Sequence, residues 1–134
     1  MTRYLSIVEL LKLYRVVMES AGRTGKVQKL SMIEVSLVRP RARWGSRELF
    51  PALSRKAAEL CCGLVENPAF VSGNIRIAHA ALETMLVLNG FEIVAPLDEQ
   101  ERVMTAVAGG RMSEGELAEW VNSRLVRHER TGQT

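Results

Sequence analysis

GNIRIAHAALETMLVLNG, residues 73–90, sets Ile75, Ile77, Ala78, Ala81, Leu82, Met85, Leu86 and Leu88 at a spacing that makes a helix over 74–89 apolar nearly all round. Such a helix has no face to offer water, so it is expected at the centre of the fold. Gly73–Asn74 opens it, and Asn89–Gly90 supplies a left-handed stop. What precedes and follows must therefore be elements that cover it.

Working outward, the covering elements also read as helices. Four starts place a side-chain oxygen three residues before Glu: Ser6/Glu9, Ser31/Glu34, Asp98/Glu101 and Ser113/Glu116. In a capping box the two side chains satisfy amides that a first helical turn leaves unpaired. Three starts add an apolar pair across the cap, Leu5/Leu10, Leu30/Val35 and Met112/Leu117, as a hydrophobic staple needs. The first helix runs to Ser20 before Gly22 and buries Ile7, Leu10, Leu11, Leu13, Tyr14 and Val17. The second runs from Ser31 to Val38, because Pro40 disfavours helical geometry at Arg39. The third begins near Pro51, shows Leu53, Ala57, Leu60, Cys61 and Leu64 at helical spacing, and stops before Pro68. Phe91–Val94 is a short extended piece, followed by helices at 98–108 and 114–127. The expectation is an all-α fold of six helices around 74–89, with at most one short extended pair. Residues 1–134 form a single domain whose tail frays after Arg127.

Composition narrows the class. In 134 residues there are 18 Lys+Arg and 15 Asp+Glu, a net charge of +3 that identifies no partner. The most apolar stretch, residues 5–18, is broken by Glu9, Lys12 and Arg15, well short of the roughly 18 uninterrupted residues of a membrane span. No small-residue cleavage site follows it, so it does not read as a signal peptide. Cys61 and Cys62 are adjacent and suit neither a disulfide framework nor, with two histidines, a structural zinc site. A cytoplasmic protein with no membrane partner is expected. Gly22-Arg-Thr-Gly25-Lys26 imitates a phosphate-binding loop, but Ser20 stands where the first glycine should be and Val27 where Ser or Thr should be. It reads as a turn.

The segment with chemical potential is Asn67-Pro-Ala-Phe-Val-Ser-Gly-Asn-Ile-Arg76. Gly73 permits close backbone approach, and amides from Gly73 and Asn74 point out of a helix N-terminus. Arg76 adds a forked cation one turn in, so the three together suit a phosphate or carboxylate. The plainer reading is an ordinary helix start, with Asn74 as the cap and Arg76 solvated. Taken alone the residues favour it, because helix starts outnumber anion sites.

Phe70-Val-Ser-Gly-Asn-Ile-Arg76, followed by a buried helix ending in Asn89–Gly90, resembles the death-on-curing (Doc) branch of the Fic/Doc, or Fido, fold, whose motif reads H-P-F-x-D-G-N-K-R. Upstream, Arg39-Pro-Arg-Ala42, Trp44-Gly45, Leu49-Phe-Pro51 and Lys56-Ala-Ala58 are similar to the usual approach to that motif, so the likeness runs over nearly the whole chain. It implies a toxin of the toxin–antitoxin type. In active members a motif His is the general base, an acidic residue helps hold Mg²⁺, and the Gly-Asn backbone and Arg cradle nucleotide phosphates. A Lys supports transfer of the terminal phosphate. Phe70, Gly73, Asn74 and Arg76 match, whereas the His position is Pro68, the acidic position Ser72 and the Lys position Ile75.

Proline has no proton acceptor, serine is a weak Mg²⁺ ligand, and isoleucine removes a charge beside the transferring phosphate. The resemblance therefore implies a catalytically impaired homologue that binds a small antitoxin-like protein through a groove taking a helical segment. ATP or another nucleotide would bind weakly at Gly73, Asn74 and Arg76, nearer millimolar than micromolar, with Mg²⁺ lost. Phe70 packs the motif, and no residue is assigned as catalytic or metal-binding. The alternative is an active transferase that phosphorylates or nucleotidylates a hydroxyl of a protein target such as a translation factor.

Two further residues and one segment complete the reading. His79, five residues beyond Asn74, faces away from the side Asn74 uses and reads as a satisfied core or edge histidine, and His128 lies in the tail. The basic stretch Arg39-Pro-Arg-Ala-Arg-Trp-Gly-Ser-Arg47 reads first as a solvated loop that Trp44 anchors to the core. Second, it reads as a flap aligning a target chain, which the family resemblance implies. Nucleic acid ranks last, because no groove-reading element accompanies the charge.

Overall fold

Ser6 accepts a hydrogen bond from the Glu9 amide while the Glu9 carboxylate accepts one from the Ser6 amide, and α1 (Ile7–Ser20) starts at that closed box. The structure is a computed structural model in which residues 1–128 are described; of the tail expected to fray after Arg127, all but His128 lies outside them. After α1 come α2 (Leu30–Val38), a 3₁₀ turn (Arg39–Arg41), strands β1 (Arg43–Trp44) and β2 (Arg47–Glu48), and α3 (Leu53–Glu66). Then follow α4 (Asn74–Leu88), β3 (Phe91–Ile93), α5 (Leu97–Ala108), α6 (Glu114–Arg124) and β4 (Leu125–Arg127). Six α-helices build the described fold, and the strands make two short antiparallel pairs rather than at most one. Arg43 pairs with Glu48 and Trp44 with Arg47, while Phe91, Glu92 and Ile93 pair with Arg127, Val126 and Leu125.

The core lies between α3 and α4. Ile77, Ala78, Ala81, Leu82, Met85 and Leu86 bury the inner side of α4, so the helix is covered on one side and not all round as its apolar pattern led to expect. Ile75 and Val87, on its outer side, are 47% and 46% exposed. α3 shares the central place: every residue from Lys56 to Leu64 is buried, and it packs against α2, the 3₁₀ turn, α4, α5 and α6. On α1 the buried residues are Leu10, Tyr14 and Met18, with Ile7, Leu11 and Leu13 only partly covered.

Two of the four expected boxes form. Ser113 and Glu116 close the second one at the start of α6, with Met112 and Leu117 packed into the core as the staple predicts. Ser31/Glu34 and Asp98/Glu101 do not cap, because α2 and α5 begin two residues earlier than their boxes need. Lys29, in extended geometry, is the N-cap of α2, and its amide and that of Gln28 both donate to the Ala69 carbonyl, which fixes the entry. Leu30 and Val35 are then exposed and form no staple. Pro96 precedes α5, so Asp98 falls inside the first turn and pairs with Arg102 at 3.1 Å.

Two boundaries also differ. α3 begins at Leu53, leaving Pro51 just outside, and α6 ends at Arg124 instead of 127 because residues 125–127 find strand partners in β3. Trp44 does not anchor its segment: it is 79% exposed on a β1–β2 hairpin. The anchor is Lys56, 1% exposed, whose Nζ donates to Glu48 Oε1 at 2.9 Å and to the Phe50 carbonyl. A buried ammonium needs such partners, and these hold the hairpin to α3.

Candidate functional site

The 67–76 segment leaves α3 at Asn67 and enters α4 through Gly73, whose φ of 82° is the left-handed conformation that L side chains rarely adopt. A side chain there would also force Met18 to shift, since a Cβ on Gly73 would lie 2.5 Å from its Sδ. The loop is pinned from three sides. Phe70, 2% exposed, stacks on Tyr14 with ring centroids 3.8 Å apart and an interplanar angle of 18°. Such contact contributes about 1 kcal/mol beyond burial. Tyr14 Oη donates to the Ser72 carbonyl at 2.8 Å and accepts from the Lys26 amide at 3.2 Å. The Val71 amide donates to the Lys26 carbonyl, and Val27 and Phe70 form an isolated bridge.

Asn74 completes the pinning, in a way that its expected capping role missed. As the first residue of α4, it turns its side chain back: Oδ1 accepts from the Ala69 and Phe70 amides at 3.2 and 3.1 Å, and Nδ2 donates to the Phe70 carbonyl at 2.9 Å. The side chain is spent on the loop, so only its backbone amide remains to offer. The helix start has no side-chain cap, and among the described residues the Asn74, Ile75 and Arg76 amides donate to no acceptor. Arg76 is exposed, with no carboxylate within 4 Å among the described residues. Unpaired amides beside an unpaired guanidinium are the chemistry an anion requires.

The three substituted positions sit at the same loop. Pro68 and Ile75 are exposed, and Ser72 is half-buried with its carbonyl engaged by Tyr14. None offers a carboxylate or an imidazole, so the residues at these positions do not fit Mg²⁺, and no step is routed through one. The group of potential metal ligands among the described residues lies elsewhere, at Cys62, Glu66 and Glu114 between α3 and α6. There Arg39 takes the cationic place, donating to Glu66 at 3.0 Å and Glu114 at 2.6 Å. Burial, reinforced by Glu114 and Glu66, pushes the Cys62 thiol up to about 12, which keeps it protonated.

His79 is an edge histidine, as its place on the helix suggests. Its Nε2 lies 2.9 Å from Gln100 Oε1 and 3.1 Å from Glu83 Oε1. The His128 amide donates to the Gly90 carbonyl beside β4. Of Gly22–Lys26, only Gly22 lies in a turn, at the end of α1, and residues 23–26 have no regular structure; both cysteines are free and buried. Sequence reasoning missed the second tier of the loop, Tyr14 and Met18. Their four-residue spacing on the apolar face of α1 marked them as neighbours, but nothing local showed that the hydroxyl would be used. Among the described residues no helix is long and apolar enough to cross a membrane.

A sequence model described as the Fic/DOC family matches residues 4–86, a span that holds α1 to α3, the whole loop and most of α4. A curated protein of Mycolicibacterium smegmatis named Toxin Doc is 36% identical to this chain over 85 residues. That match takes in 62% of this chain and 65% of the relative, so the chain spans just under two thirds of the relative's length.

Proposed function

The chain belongs to the Fic/DOC family, and from that premise we propose that it is a Doc-like toxin homologue of a toxin–antitoxin pair, acting by binding rather than by efficient group transfer. One observation carries the reading. The loop scaffold of Phe70, Gly73 and Asn74 is held by Tyr14 and Met18, while the three positions that would act on a substrate are Pro68, Ser72 and Ile75. A proline leaves a target hydroxyl without a proton acceptor, and a serine leaves a metal without its carboxylate. Packing and chemistry reside on different side chains, so loss of the second leaves the first, and with it a surface for a small antitoxin-like protein.

At the loop, the backbone amides of Gly73 and Asn74 and the guanidinium of Arg76 would hold the phosphate of a weakly bound nucleotide. The helix N-terminus and the charge-assisted bond each contribute on the order of 1 kcal/mol. Incubation of the protein with labelled ATP, Mg²⁺ and a bacterial extract tests the impairment. No labelled protein band is expected. Efficient labelling that Arg76→Ala abolishes would establish the opposite reading, an active transferase.

A further inference from the structure

Cys62 and Glu66 lie one turn apart on α3, and Glu114 opens α6. A thiol and two carboxylates thus come together, each offering an atom within 4.8 Å of the others. All three wall a cavity of about 490 Å³ between the end of α3 and the α5–α6 connection. We propose that this trio is a site for a zinc ion, which would tie the first turn of α6 to the last turn of α3.

Cys62 is 2% exposed, yet its thiol makes no hydrogen bond among the described residues and forms part of the cavity wall. A buried thiol that serves only as a small hydrophobe packs among apolar groups. This one faces two carboxylates, company that suits a thiolate holding a metal. Arg39 fixes those carboxylates without using them up. It donates to Glu66 Oε1 and Glu114 Oε2, which leaves Glu66 Oε2 and Glu114 Oε1 with no hydrogen-bond partner among the described residues. Arg39 itself is not part of the cavity wall, so the carboxylates stand between the guanidinium and the open space. A donor behind the ligands orients them, as the outer partners of metal-ligating carboxylates do.

The charge count matches a divalent ion. Arg39 and Arg55 serve three carboxylates, Glu59, Glu66 and Glu114, which leaves one negative charge over, and a thiolate at Cys62 makes a second. Arg111 and Glu116, also in the wall, cancel. Sulfur beside carboxylate oxygen selects zinc over magnesium and calcium, which take oxygen ligands. On binding, the thiol proton passes to solvent, and a water from the cavity fills the fourth position. This is not the closed four-ligand site that adjacent cysteines and two histidines fail to build, but an open one of three ligands. Zinc bonds of about 2.0–2.3 Å set tetrahedral ligand atoms about 3.5 Å apart, so the trio closes in by about 1 Å. The Glu66 and Glu114 side chains, 53% and 32% exposed, have room to turn.

Titration of the untagged full chain with Co²⁺, a spectroscopic stand-in for zinc, tests the site. One equivalent should bring up a sulfur-to-cobalt charge-transfer band in the near ultraviolet, and Zn²⁺ should abolish it by displacing the cobalt. Zn²⁺ should also raise Tm. Cys62→Ala should remove the band and Cys61→Ala should keep it. Glu66→Gln, at a half-exposed position where the fold is not at risk, should weaken Zn²⁺ binding at least tenfold, read by competition against Co²⁺. No band with Co²⁺ in millimolar excess overturns the site, as does a band that follows Cys61. A band that Glu66→Gln and Glu114→Gln both leave unchanged also overturns it, since that marks a lone thiolate holding an adventitious ion only.

Discussion

The loop at the start of α4 and the α2–α3–α6 junction around Arg39 are both rich in polar contacts, but they use them oppositely. At the loop every fixed bond is neutral: a phenol, an amide side chain and backbone groups hold residues 69–74, and the charged Arg76 is left over. At the junction charge itself is the fastener. Arg39 donates to Glu59 at 2.8 Å, Glu66 at 3.0 Å and Glu114 at 2.6 Å, and Arg55 adds a second bond to Glu59, 4% exposed. A guanidinium satisfied on three sides has nothing to offer a ligand. One that sits free beside unpaired amides does, which is why the functional reading settles on the loop although the junction holds more charge.

If the loop depends on apolar and neutral contacts, its weakest substitution is apolar. Phe70→Ala removes a ring that is 2% exposed and stacked on Tyr14, and should cost about 4 kcal/mol in denaturant unfolding. An unchanged midpoint would mean that Asn74 alone holds the segment.

The junction should fail by charge instead. Arg39→Met strands the buried Glu59 and separates Glu66 from Glu114, an expected loss of about 2 kcal/mol. That is below the usual figure for a buried pair, because Arg55 still serves Glu59 and because Glu66 is 53% exposed. Part of the loss should return in the double variant with Glu59→Gln, which removes the stranded charge. If the double variant is instead less stable by the sum of two independent losses, Arg39 acts there through packing alone.

The two regions were not equally legible in the sequence. The loop was, because its matches at Phe70, Gly73, Asn74 and Arg76 lie within seven residues and adjoin an unmistakable buried helix. The junction was not: Arg39 is one of four arginines between 39 and 47, and its glutamates lie 20, 27 and 75 residues away. Local pattern cannot rank such partners. The same limit explains Lys56, whose burial follows from a hairpin eight residues upstream, and β4, which exists only because β3 is there to pair. It also explains the two boxes that failed. Ser31 and Asp98 carry the right spacing, but Ala69 and Pro96, outside the pattern, decide where their helices begin. The aromatic at Trp44 misled for a related reason, since burial is a property of neighbours and this hairpin supplies none.

Acid should separate the regions with the smallest effect on overall stability. The Arg3 hydrogen bond, followed by the Ser6 amide, holds the Glu9 carboxyl down at about 2 against an ordinary 4.5. The Lys56 hydrogen bond lowers Glu48, and the Ser113 amide lowers Glu116. A carboxyl whose folded pKa is depressed contributes stability that is fully present above its unfolded value and is lost as pH falls toward the folded one. For Glu9 that window runs from about 4.5 down to about 2. As pH falls through it, opening the start of α1 frees Glu9 to take up a proton and so costs less, and the lowered Glu116 and Glu48 act in the same direction at the start of α6 and at the hairpin. The loop contains no group of this kind: its fixed contacts are a phenol, a carboxamide and peptide groups, none of which changes charge there. Amide hydrogen exchange at about pH 5.5 and about pH 3, corrected for intrinsic rates, should show reduced protection at Ser6 and Ser113 and unchanged protection at Ala69 and Phe70. Equal losses at all four would mean that the loop leans on the charged framework after all, and that its neutral bonds do not hold it alone.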